Sequence, residues 1–149
     1  MTALLIGGQP KGYDEPFSIQ TRSGKILRGM VDRLIPDPFE RLQRVYYADI
    51  WANQEEEDAK KFDSESITEL WWLADEYWPP VALGRYQYNF LRNQIRLPDI
   101  RYLPHPASRS QNKLKELFEG LEQAIFHPEA PFSIPKNNNK GRFTMRPKP

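Results

Sequence analysis

Phe17–Ile35, FSIQTRSGKILRGMVDRLI, is the stretch whose reading sets the fold class of this chain. Phe17, Ile19 and Thr21 alternate with polar residues. Ser23-Gly24 then carries a two-residue turn signal, with glycine able to take positive φ, and Leu27, Gly29 and Val31 alternate on the return. The pattern predicts a β-hairpin. Two strands alone are marginally stable, so the hairpin has to pack on helices from the rest of the chain. On its N-terminal side, residues 1–16 hold Gly7-Gly8 and Pro10-Lys11-Gly12 and no hydrophobic period, which reads as an extended arm. A phosphate loop would need Gly-Lys-Ser/Thr leading into a helix. Here the chain continues Tyr13-Asp14-Glu15-Pro16 instead, which excludes that motif.

On the other side, Pro36-Asp37-Pro38 predicts a helix start, with Asp37 as N-cap and Pro38 in the first turn. Phe39, Leu42, Val45, Tyr46 and Ile50 form its apolar stripe, flanked by Tyr47 and Trp51. Glu55-Glu56-Glu57-Asp58 followed by Lys60-Lys61 reads as its solvated end. A second helix follows over Ser66–Trp78, SITELWWLADEYW, opened by the Ser66/Glu69 capping box, with Asp63 and Ser64 as rival caps. Ile67, Leu70, Trp71, Ala74 and Trp78 line one stripe, Leu73 and Tyr77 widen it, and Pro79-Pro80 stops it. Trp72 falls off that stripe among Thr68, Glu69 and Glu76, so it is either covered by another segment or offered to a partner. Residues 81–101 fit a strand through Tyr86, Tyr88 and Phe90, and a helix through Tyr86, Phe90, Leu91 and Ile95; the helix is preferred. Ser108 and Gln111 then suggest a capping box before Leu114, Leu117, Phe118, Leu121 and Ile125, a stripe ended by Pro128.

The expected fold is therefore α+β and predominantly helical: an N-terminal hairpin packed on about four helices. One domain spans residues 17–128, between an arm (1–16) and a basic Pro/Asn-rich tail (129–149). In 149 residues there are four Trp, seven Tyr and eight Phe, enough for one core, and the formal net charge of +1 selects no class of partner. The absence of cysteine rules out disulfides, thiolate metal sites and a cysteine nucleophile, and it suits a reducing compartment. The start does not read as a signal peptide, and no window reaches the roughly 20 apolar residues of a membrane span. The expected location is the cytoplasm or a particle assembled inside the cell.

Function is written less plainly. No nucleophile–base pair, ligand cluster or cofactor motif stands out, and no cofactor is implied. His105 and His127 each precede a proline and read as loop residues. The leading expectation is a non-enzymatic assembly or adaptor subunit, of a virion or of a cellular machine, meeting a protein partner or its own copies through Trp72, Trp51 and Tyr47. The alternative is nucleic-acid binding: Arg85, Arg92, Arg96 and Arg101 interleave with Tyr86 and Tyr88, and Lys136, Lys140, Arg142, Arg146 and Lys148 add a basic tail. A third reading is a metal-dependent nuclease, with Asp37 and Asp58 as ligands and Lys60 beside the attacking water.

Overall fold

A computed structural model describes residues 1–51, 54–59 and 64–132. The chain folds as β1 (Ala3–Gly7), α1 (Arg22–Leu34), α2 (Pro38–Arg44), β2 (Val45–Asp49), α3 (Gln54–Ala59), α4 (Ser64–Glu76), β3 (Pro80–Leu83), α5 (Arg85–Phe90) with a π-helical turn (Leu91–Ile95), β4 (Arg101–Leu103) and α6 (Gln111–Phe126). The mixture of helix and sheet is as expected. The hairpin is not: the strands form one parallel sheet in the order β2-β1-β3-β4.

The fold turns on β1. Ala3-Leu4-Leu5-Ile6-Gly7 is buried throughout and lies between β2 and β3, so residues 3–7 belong to the core and not to an arm. A parallel strand is covered on both faces, so it reads as an unbroken apolar run without alternation. Ala3 and Leu5 face one cluster with Leu27, Val31, Leu117 and Leu121 from α1 and α6. Leu4 and Ile6 face the other, with Trp51, Leu70, Leu73, Phe90 and Leu91. The result is three layers, with helices on both sides of the sheet.

The predicted hairpin is α1 and its approach. Thr21 caps the helix by accepting from the Gly24 N–H, and Leu27, Met30 and Val31 recur at helical spacing on the buried side. Gly24 also meets the Phe17 and Ser18 carbonyls so closely that no Cβ fits there, which is why a glycine sits inside the first turn. Asp37 and Pro38 start α2 as expected, Asp37 accepting from the Phe39 N–H. The long helix they were expected to open ends after seven residues, and Val45–Asp49 becomes an edge strand. Phe39 and Leu42, read as core, are 76% and 79% exposed. Among the described side chains of α4 the buried ones are Leu70 and Leu73, while Trp71 and Trp72 are exposed. The cap of α6 is Ser110, not Ser108.

Candidate functional site

In an open parallel sheet, a crevice forms where neighbouring strands send their connections to opposite faces. Here β1 leads to α1 on one face and β3 leads to α5 on the other, so the gap lies at the carboxyl ends of β1 and β3. All four strand ends contribute to it. β1 ends in Gly7-Gly8-Gln9, β2 in Asp49, β3 in Leu83-Gly84, and β4 runs through Pro104 to His105. A cavity of about 50 Å³ lies among Gly8, Gln9, Phe17, Asp49, Gln87 and His105, with Lys11 and Glu57 also lining it. It borders an open groove of about 510 Å³ that shares Glu57, Gln87 and His105.

Phe17 forms the flat wall. It is 7% exposed, its ring sits where a Cβ on Gly7 would be, and its backbone is left-handed at φ 54°. A non-glycine residue stays in that region when its surroundings over-determine it. Arg28 Nε donates to the Phe17 carbonyl at 2.6 Å and Arg28 Nη2 to the Pro16 carbonyl at 2.7 Å. Thr21 Oγ1 donates to the Ser18 carbonyl, and the glycine of α1 abuts the same backbone. The Arg28 guanidinium lies 4.1 Å from the Tyr47 ring centroid, and burial pushes the Tyr47 hydroxyl up to about 12.

The Gln87 amide bridges the two strand ends, its Nε2 beside Gly8 and its Oε1 beside Gly84. Gly84 has φ 119°, a conformation that suits glycine and turns the chain at once into α5. Gln9 Nε2 donates to Glu57 Oε1 at 3.1 Å, and its Oε1 accepts from the Lys11 N–H.

Two titratable groups stand out. Burial pushes the Asp49 carboxyl up to about 7, and its buried Oδ2 has no hydrogen-bond partner among the described residues. His105 is shifted the other way: burial first, and Lys11 second, lower its pKa from the usual 6.5. Its Nδ1 accepts from the Ala107 N–H at 3.0 Å, so the neutral ring carries its proton on Nε2. The site thus pairs a carboxyl that titrates near neutrality with a neutral imidazole N–H donor. That arrangement suits proton abstraction at one point and stabilisation of developing negative charge at another.

The residues singled out from the sequence lie mostly elsewhere. Trp51 is buried against Tyr86 and Phe90. Tyr47 is half-buried under Arg28, and only Trp72 of that trio is exposed, at 59%. Arg92 and Arg96 are exposed, whereas Tyr88 and Arg101 are buried, so these residues do not make one face. Arg85 and Tyr86 line the open groove. Asp37 caps α2 ahead of β2 and Asp58 lies in α3 beyond it, on segments attached to opposite ends of one strand. Among the described residues no group of three or more His, Asp and Glu side chains is placed to hold a metal, and no helix is long and apolar enough to cross a membrane. Lys60, Lys136, Lys140, Arg142, Arg146 and Lys148 lie outside the described residues.

Asp49, Gln87, Phe17 and the chemistry of His105 were missed. The available signal was the two short apolar runs stopped by glycine, ALLIGG and VALG, which mark buried parallel strands with a site at their ends. No protein-family model matches this chain, and no curated protein matches it.

Proposed function

We propose that the chain is an enzyme of nucleobase chemistry, acting in the crevice at the carboxyl ends of β1 and β3 and releasing a base by hydrolysis. The observation that carries this reading is the convergence of Asp49 and the neutral His105 on one small cavity walled by Phe17 and Gln87. An aromatic wall offers stacking to a flat ring. The Gln87 amide offers a donor and an acceptor to that ring's edge. The small cavity takes the reacting water beside Asp49 and the edge of the ring, and the groove, which shares Gln87 and His105 with it, takes the rest.

The chemistry then follows from charge. Ionised Asp49 accepts a proton from water as the water oxygen bonds to the sugar carbon. The carbon–nitrogen bond breaks, and its electron pair leaves with the ring, which then takes up a proton from solvent as Asp49 gives its own back to solvent. The His105 Nε2–H donates a hydrogen bond to the negative charge that develops on the ring. A neutral imidazole acts here as a hydrogen-bonding electrophile that keeps its proton. This reading keeps nucleic acid, or its nucleoside and nucleotide units, as the partner class and replaces the nuclease chemistry.

The test is to incubate the protein with nucleosides and with single- and double-stranded oligonucleotides, and to follow free base by chromatography. Release that disappears in Asp49→Asn and falls steeply in His105→Ala is the expected result. No release from any substrate, or release that survives both substitutions, overturns the proposal.

A protein-partner role keeps one specific support: adjacent indoles Trp71 and Trp72 are 42% and 59% exposed on α4. Exposed tryptophan is enriched at interface hot spots. Sedimentation of the full chain, alone and as Trp72→Ser, separates this role from the crevice chemistry.

A further inference from the structure

Along β4 lies a second cavity, of about 400 Å³, between the sheet edge and α6. Its floor is Val81, Leu103 and Ala124, and Arg85, Arg101 and Lys113 line it. Arg101 is only 5% exposed. The guanidinium lies 5.0 Å from the Trp78 ring centroid and 4.3 Å from that of Phe132, and one amino group donates to the Pro128 carbonyl. Its Nε is buried without a hydrogen-bond partner, and no ion pair reaches it among the described residues.

Such a group is costly as it stands. An arginine does not give up its proton at ordinary pH, so unlike a buried carboxyl it cannot escape burial by becoming neutral. Aromatic faces offset part of the cost, but they do not accept the Nε–H in the plane of the guanidinium. An oxyanion in the cavity would do both: accept that N–H and neutralise the charge. Lys113 adds positive potential to the same space. Glu116 and Glu119, at the exposed rim on α6, oppose a ligand of higher charge.

We propose that this cavity binds a singly charged oxyanion, a phosphodiester or a carboxylate group, on the Arg101 Nε–H. The site adjoins the groove of the crevice through Arg85 but does not depend on the reaction proposed there.

The probes are dimethyl phosphate and acetate, each titrated into the full-length protein against sodium chloride of equal ionic strength. The readout is the Arg101 Nε–H resonance in a nitrogen-edited proton spectrum, assigned by its loss in Arg101→Lys. Saturable movement of that resonance with either anion, and not with chloride, is expected. Lys113→Gln, at the exposed rim, leaves the fold intact and should weaken the saturating anion several-fold. Saturation by dimethyl phosphate alone assigns a phosphodiester, and saturation by acetate alone a carboxylate. A resonance that does not move, or that moves linearly with both anions and with chloride, overturns the proposal. So does an unchanged affinity in Lys113→Gln.

Discussion

Asp49 and Arg101 are both ionisable, both inside the protein and both without a counter-ion on the buried atom, yet burial acts on them in opposite ways. Asp49, at the carboxyl end of one edge strand, can take up a proton, and its pKa rises to about 7. Arg101, at the amino end of the other edge strand, stays charged although burial lowers its pKa, and it lies between aromatic faces. The difference separates two uses of desolvation. A carboxyl that titrates near neutrality can exchange protons during turnover. A fixed guanidinium can only hold a partner. The crevice is therefore suited to chemistry and the Arg101 cavity to binding.

The largest expected effect lies at the carboxyl end. If Asp49 is the base and His105 the donor, each substitution should lower the rate of base release by about 10²–10⁴-fold, measured under single-turnover conditions. The corresponding change at Arg101 should leave that rate within about twofold. Comparable losses from all three would collapse the distinction.

Next is the strand between the two sites. Leu5 is fully buried on β1, packed with the α1 and α6 side chains. Leu5→Ala should cost about 2–5 kcal/mol in urea denaturation and weaken both sites together. A cost below about 0.5 kcal/mol would return residues 3–7 to the status of an arm.

The pH dependence sharpens the contrast further. Asp49 holds its proton to about pH 7 when folded and to about pH 4 when unfolded. Its contribution to stability is complete below the unfolded value and is lost as pH rises through the folded one. Between those limits the loss is up to about 4 kcal/mol. His105 has the opposite sign, stabilising above its unfolded pKa and losing that contribution as pH falls. Denaturation at pH 5 and pH 8 should show wild type losing stability at the higher pH relative to Asp49→Asn. Base release should rise with pH towards a plateau above about 7.

The smallest effect should come from Arg101→Met, which removes a charge and its ring contacts at once. Without an anion present, the two changes oppose each other and stability should move by about 1 kcal/mol or less. A loss of several kcal/mol in thermal unfolding would mean that the guanidinium is already well compensated.

The sequence carried the helix faces better than the sheet. Leu114–Ile125 and the Asp37-Pro38 start were legible because helical spacing and caps are local signals. β1 and β3 were not, since strands buried on both faces lose the alternation that announces a strand. In FSIQTRSG two turns of polar residues around Phe17 imitated a strand, because the close packing of Gly24 against Phe17 is a contact no window reveals. Phe39 and Leu42 misled in the other direction. They kept helical spacing with Val45, although the chain passes from helix to strand at that residue. The candidate site was less legible than the fold, because Asp49, Gln87 and His105 meet only once four strands lie side by side. Each on its own is an ordinary polar residue beside an apolar run.

The position of β1 in the strand order also matters before the protein is finished. Its register partners lie at Val45–Asp49 on one side and Pro80–Ala82 on the other. A nascent chain must therefore carry Ala3-Leu4-Leu5-Ile6 unpaired on its β3 side until the Pro80–Ala82 stretch has been synthesised. Such a bare apolar segment is open to association with other chains while it waits. It is the place where a chaperone would be expected to hold this protein during synthesis.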